Sequence, residues 1–302
     1  MVDITRDEAT PTLRQRMIED MEVRRLSRAT QRNYLRDVAR FASWLGQPPD
    51  LATAEDLRRY QVEQSATGTG APAMNAAVSA LRFFYTRTLN RPDLTRKLHN
   101  VKHARALPTV LSREEVARML EATTSVKHQA ILSVAYGAGL RASEVAGLKV
   151  RDVDSSRMLL RVECGKGGRH RNAMLANDLL VLLREWWKVG RKVGIMHADG
   201  WLFPGQHYLK PISYRQVHRI AAGAAHDAGI AKRVGPHTLR HSFATHLLED
   251  GVDIRIIQAL LGHAKLDTTA FYTRVATRTV KSVVSPLDRL ALLPGPQAAP
   301  DG

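Results

Sequence analysis

Cysteine is almost absent from this chain: Cys164 stands alone. No intramolecular disulfide can form, so stability must come from packing, as expected in a reducing compartment. The paired cysteines of a zinc site are missing as well. Long apolar runs are also lacking. The longest strictly apolar stretch, Leu179 to Leu183, falls far short of the roughly 20 residues that cross a bilayer. The first dozen residues carry Asp3, Asp7 and Glu8 without an apolar run, so no signal peptide is read there. His241 and His246 do not have the i, i+4 spacing of a helical zinc pair. The GxxxxGK[ST] phosphate loop is missing, and no glycine-rich dinucleotide fingerprint follows a strand. Carboxylates near the His/Arg segments are too few for a two-metal nuclease. The expectation is an enzyme or binder without metal or cofactor.

Negative charge is in deficit. Against 29 Asp+Glu stand 45 Lys+Arg, a formal net charge of +16 on 302 residues. Such an excess favours a polyanionic partner, with DNA or RNA ahead of an anionic membrane surface. The apolar fraction of 44% is that of a globular chain with a real core, and the length suggests about two domains. Both halves are basic: residues 1–108 carry a net +6 and residues 109–302 a net +10. The densest patch runs from Arg91 to Arg105, where Arg91, Arg96, Lys97, Lys102 and Arg105 face only Asp93. With no long apolar period, residues 91–109 read as a basic linker, and those five cations as DNA-backbone contacts.

Residues 1–90 read as all helix. A helix is expected over Leu13 to Arg24. Ser27 can cap a second with Tyr34, Val38, Phe41 and Leu45 on one stripe, stopped by Gly46. Thr53 precedes a short helix carrying Leu57 and Tyr60, and Pro72 opens another with Met74, Val78, Leu81 and Tyr85 on one face. Residues 110–293 form the second domain. Ser112 and Glu115 make a capping box. A helix through Gln129 to Tyr136 breaks at Gly137 to Gly139. Met158 to Glu163 and Arg171 to Leu175 read as short strands around the Gly165–Gly168 turn. Asn177 can cap the next helix and Ser213 another, and further helices are expected from Pro236 to Gly251, over Asp253 to Leu261 and over Asp267 to Thr273. Ser285 to Leu293 is a last amphipathic segment, and the Pro/Gly/Ala-rich residues 294–302 read as a disordered tail.

Several residues suit chemistry at an anion. His237 and Arg240 share a helix face at the first turn, where free N–H groups favour negative charge. Each such pair is also compatible with an ordinary solvated surface. Arg141 follows the glycine-rich break and offers a planar fork of donors, with Glu144 at i+3 able to orient it. Lys166 sits at the glycine-rich hairpin tip, where a solvated turn lysine is the plainer alternative. His263 follows Gly262, and Tyr272 lies nine residues further on. Attack on a phosphodiester builds charge that fixed cations can stabilise. A tyrosine can be the nucleophile and a lysine can protonate the leaving oxygen.

In this order the residues resemble the tyrosine recombinase (phage integrase) family over nearly the whole chain. Gly139-Leu140-Arg141-x-Ser143-Glu144-x-x-x-Leu148 is similar to that family's first box. Pro236 to His246, Leu260-Leu-Gly-His263, Thr268-Thr269 and Tyr272 are similar to its second. The arrangement is most similar to Xer recombinases and simple mobile-element integrases. Ser285-Pro-Leu-Asp288 is similar to the end of integron integrases, but no extra segment separates Lys166 from His237. The resemblance implies a mainly α chain with a small β hairpin or sheet: an N-terminal four-helix, SAM-like core-binding domain and a C-terminal α+β catalytic domain. It implies that Tyr272 attacks the scissile phosphate and leaves a 3′-phosphotyrosyl bond. Arg141 and Arg240 would clamp the non-bridging oxygens, His237 would assist proton transfer, His263 would hydrogen-bond the phosphate, Lys166 would be the general acid and Glu144 would support Arg141. Four protomers would exchange strands of duplex DNA through a Holliday junction, without metal or ATP, with Ser285 to Leu293 docking into a neighbour. The expected location is the cytoplasm, associated with the nucleoid. A type IB topoisomerase and a non-catalytic DNA-binding protein are the alternatives.

Overall fold

The computed structural model describes residues 12–102, 108–163, 170–262 and residue 286. Two compact units divide between Ala106 and Leu107. The first contains α1 (Leu13–Val23), α2 (Arg28–Leu45), α3 (Ala54–Ala66) and α4 (Ala71–Phe83). Local chemistry sets their ends. Ser27 Oγ accepts from the Thr30 N–H, and Gly46 ends α2 in the left-handed conformation at φ 73°. Thr53 and Asp56 cap each other's backbone at the start of α3. The stripe Met74, Val78, Leu81 and Tyr85 is buried as expected. Phe41 packs edge-on to Tyr60 and Tyr85, with centroids 5.1 and 6.4 Å apart.

Two features differ from the sequence expectation. The α4 helix widens into a π-type turn over Phe84–Thr88, whose Thr88 carbonyl accepts from Arg16. Residues 91–102 also do not behave as a free linker. Pro92–Lys97 winds into a 3₁₀ helix, and Leu94 and Leu98 enter the core of the first unit. Arg82 donates to the Leu98 carbonyl, Gln61 bonds both backbone groups of His99, and Asn75 bonds both of Val101. Two leucines four residues apart are enough to anchor a stretch whose composition is otherwise basic and irregular.

The second unit holds α5 (Arg113–Glu121), α6 (Val126–Gly137), α7 (Ala142–Gly147), α8 (Asn177–Lys192), α9 (Tyr214–Asp227), α10 (Pro236–Glu249) and α11 (Ile254–Leu261). A sheet of order β1-β2-β3 is antiparallel throughout: β1 (Val153–Asp154), β2 (Leu159–Glu163) and β3 (His170–Met174). The short strand β1 was not anticipated; it pairs Val153 with Leu160. Every residue of α6 from Ala130 to Gly137 is buried, as befits a helix surrounded by others. Segment 108–112 is fastened to α10. The Leu111 N–H donates to Ser242 Oγ at 2.9 Å, and the His246 ring meets the Leu111 carbonyl at 3.0 Å. Among the described residues no helix is long and apolar enough to cross a membrane. Cys164, the segment expected as a helix over 267–273, the amphipathic stretch 285–293 apart from residue 286, and the tail 294–302 lie outside the described residues.

Candidate active site

Three elements of the second unit converge on one carboxylate. Arg141 is the N-cap of α7, and Glu144 is that helix's third residue. Glu144 Oε2 accepts the Arg141 backbone N–H at 2.9 Å, and Oε1 accepts Arg141 Nη1 at 2.8 Å. A second guanidinium arrives from β3: Arg171 Nη2 donates to Glu144 Oε2 at 2.8 Å. A third comes from α10, where Arg240 Nη1 lies 3.7 Å from the same oxygen. Burial alone would raise the Glu144 carboxyl. The Arg171 charge, then the hydrogen bonds from Arg141 and Arg171, outweigh it and hold the group below the usual carboxylate range. Among the described residues, three guanidiniums thus share this one carboxylate.

The expected pairing of Arg141 and Glu144 is present, and the carboxylate also serves the other two arginines. Their exposure differs in a useful way. The side chains of Arg240 and Arg171 are 6% and 10% exposed, that of Arg141 is 37% exposed, and Glu144 is 8% exposed. Arg141 is therefore the guanidinium that reaches solvent. Arg240 is held from behind: Nη1 donates to the Gly139 carbonyl and Nη2 to the Leu261 carbonyl, both at 2.6 Å. Gly139 adopts φ 61°, and a Cβ there would lie 2.6 Å from the Phe243 ring. Only glycine fits that break, and the break presents its carbonyl to Arg240.

The end of α11 is docked by two arginines. Arg171 Nη1 donates to the Leu260 carbonyl, and Arg240 takes that of Leu261. These are the outward-facing carbonyls of a last helical turn, where cations are favoured. Gly262 then leaves the helix at φ 64°.

His237 occupies the second position of α10, after Pro236, and lies one turn from Arg240 on the same face. Leu239, Phe243 and Leu247 are fully buried on another face. Partial burial, then the neighbouring His218, His241, Arg240 and Arg141, push the His237 ring below the ordinary histidine value. That shift favours the uncharged ring, which can accept a proton. The His218 ring sits 6.3 Å from it and packs against Tyr214 at 4.6 Å.

Lys166, His263, Tyr272 and Arg105 lie outside the described residues. Of the other expected DNA contacts, Arg91, Arg96 and Lys102 are exposed, while Lys97 pairs with Glu55 at 2.8 Å. Arg171 was not singled out from sequence. A signal for it exists: it pairs with Val162 across the hairpin, so an arginine falls on the strand face that buries Leu160 and Val162. Among the described residues no group of three His, Cys, Asp or Glu could hold a metal ion.

The described side chains form a partly buried cluster with one solvent-reaching guanidinium and a histidine one turn from Arg240, a chemistry suited to an anion. Comparison with known proteins identifies the family. Residues 109–278 match the phage integrase family, and residues 13–93 match the phage integrase N-terminal SAM-like domain. The chain is 45% identical to a putative integrase/recombinase, y4qK, of Sinorhizobium fredii over 290 residues, covering 95% of this chain and 91% of that one. It is 34% identical to the tyrosine recombinase XerA of Pyrococcus furiosus, covering 94% and 98%. A solved structure of the XerH site-specific recombinase bound to palindromic difH substrate, in a post-cleavage complex, shares the fold with a TM-score of 0.66 at 20% identity, covering 90% and 84%. The chain belongs to the phage integrase family, the tyrosine recombinases, enzymes that transfer DNA strands in site-specific recombination.

Proposed function

We propose that this chain cuts and rejoins duplex DNA at a specific site through a 3′-phosphotyrosine and a Holliday junction. The observation that carries the reading is the convergence of Arg141 and Arg240 on Glu144, with His237 one turn from Arg240. In this reading the Tyr272 oxygen attacks phosphorus. Arg141 and Arg240 stabilise the charge that grows on the non-bridging oxygens. His237 assists removal of the phenol proton. The phosphorus–O5′ bond breaks, and Lys166 gives that oxygen its proton. His263 hydrogen-bonds the phosphate. Attack by a 5′-hydroxyl from the partner duplex reverses the steps and restores a phosphodiester. The bond energy is kept in the phosphotyrosine, so neither ATP nor metal is required.

The catalytic domain in this reading is 110–293, with a core-binding domain over 1–90 and a strap over 91–109. Arg91, Arg96, Lys97, Lys102 and Arg105 contact DNA backbone. Four protomers assemble on the DNA, linked through the segment 285–293, in the cytoplasm at the nucleoid.

A selection from random sequence tests the reading and finds the target site at the same time. A library of nicked duplexes with a randomised core is incubated with the protein. Protein-bound DNA that survives denaturing detergent is then sequenced. The expected result is a covalent adduct on a defined sequence with wild type and none with Tyr272→Phe. No wild-type adduct, or an undiminished adduct with Tyr272→Phe, would overturn the reading.

A further inference from the structure

We propose that Arg171 is a positioning residue for DNA cleavage: it locks β3 to the end of α11 and so fixes that helix end against the arginine cluster. The inference rests on the strand-transfer reading above and extends it to a residue outside the six catalytic positions.

The fork of Arg171 spans two elements. One arm donates to Glu144 Oε2 at 2.8 Å and the other to the Leu260 carbonyl on α11. The side chain is nine-tenths buried, and its Nε has no partner among the described residues. A buried, unpartnered donor is costly. The arrangement therefore persists because the two forked contacts and the packing around them outweigh that cost.

Gly262 is fitted to the same side chain. A Cβ on Gly262 would stand 2.5 Å from Arg171 Cδ and 2.9 Å from Nε, and the residue is left-handed at φ 64°. The guanidinium stem and the exit of α11 are thus moulded to each other. Lys166 lies five residues before Arg171 in the sequence, and His263 is the residue after Gly262. One side chain joins the segment holding the proposed general acid to the segment leading to the proposed nucleophile. Through Glu144 it also meets the arginines that would hold the phosphate.

A lysine cannot replace this group. Its ammonium carries the charge but lacks the planar fork that reaches a carboxylate and a carbonyl together. A small misplacement at a reacting centre costs on the order of 100-fold in rate.

The experiment uses the full chain and the duplex captured in the covalent selection above. Single-turnover adduct formation and equilibrium binding to that duplex are measured separately for wild type, Arg171→Lys and Arg171→Gln. Arg161→Gln serves as control, because Arg161 lies on the same hairpin but points outward and pairs with Asp154. The adduct rate is expected to fall on the order of 100-fold in both Arg171 variants, with binding changed less than about threefold and Arg161→Gln unaffected. Arg171→Lys keeps a cation beside Glu144, so it decides the matter should Arg171→Gln fail to fold. An Arg171→Lys enzyme that cleaves within about threefold of wild type overturns the inference and leaves the functional reading intact. So does a loss wholly explained by weaker binding. The absence of any Tyr272-dependent adduct from wild type overturns the reading and the inference together.

Discussion

Gly139 lets one substitution separate backbone strain from packing. Gly139→Ala imposes two costs. A left-handed φ of 61° disfavours any L side chain by roughly 1–2 kcal/mol. The new methyl would also stand 2.6 and 2.7 Å from two carbons of the fully buried Phe243 ring and 3.1 Å from Leu261 Cδ2. Forcing such a ring aside in a packed core costs about 1–3 kcal/mol. The total is about 2–5 kcal/mol. Gly229 provides the control, since it is left-handed at φ 65° with nothing within 4 Å of a Cβ. Gly229→Ala keeps the backbone cost and lacks the clash. The entropy gained by removing a glycine from the unfolded chain is common to both and cancels in the comparison. At about 2–4 °C per kcal/mol for a unit of this size, Gly139→Ala should melt about 4–20 °C below wild type and Gly229→Ala about 2–8 °C below. Scanning calorimetry of the full chain reads both. A Gly139→Ala protein that melts no lower than Gly229→Ala would refute the claim that α10 and α11 press on this glycine.

Three further outcomes follow from the same geometry. Glu144→Gln removes the anion among three guanidiniums, two of them nearly buried, and should cost about 3–5 kcal/mol in urea unfolding; a loss under about 1 kcal/mol would mean the carboxylate is dispensable. His246 is buried between Tyr136 and Leu111; Nε2 donates to the Leu111 carbonyl, so Nδ1 accepts from the Tyr136 hydroxyl. Burial, then Arg113, lowers its pKa below the ordinary value near 6.5, so the folded state binds the proton less readily than the unfolded chain. Its contribution is therefore complete above about pH 6.5 and is lost as pH falls through the lowered value, and unfolding free energy should lose part of its slope between about pH 5 and 7 in His246→Gln. In DNA binding, Arg96→Gln and Lys102→Gln should each lower the salt slope by about 0.9, and Lys97→Gln by less because Glu55 already holds that ammonium; equal slopes for all three would remove the distinction.

Much of the fold was legible because its signals are local. Ser27, Thr53, Ser112 and Ser213 cap the helices they were expected to cap, and the stripes through Phe41 and Leu81 face the core. Asn177 instead begins α8, whose N-cap is Ala176. The hairpin was read from two short strands on either side of a glycine-rich turn. Long-range partnerships were harder to see. Nothing near Leu94 and Leu98 announces that the basic stretch docks on α3 and α4, because their partners lie elsewhere in the chain. The same holds at the site. The i, i+3 spacing exposed the link of Arg141 to Glu144, but the contacts of Arg171 with Glu144 and Leu260 bridge 27 and 89 residues. Period-two reasoning places Arg171 on a core face, and only the tertiary structure supplies its partners.

The distribution of exposure among the arginines carries its own argument. A buried guanidinium is tolerated only where its charge is met. Arg240 is met by two carbonyls, whose dipoles satisfy hydrogen bonds without cancelling a full charge, and by Glu144 at 3.7 Å. Arg171 shares that carboxylate. Among the described residues one carboxylate faces three guanidiniums. Such an arrangement favours a phosphate that approaches Arg141, the most exposed of the three. Arg141→Gln should accordingly weaken inorganic phosphate protection in a thermal melt while raising the melting temperature without phosphate, since it relieves the like charges. A variant that melts lower than wild type in the absence of anion would show instead that Arg141 stabilises the cluster through Glu144 more than it strains it.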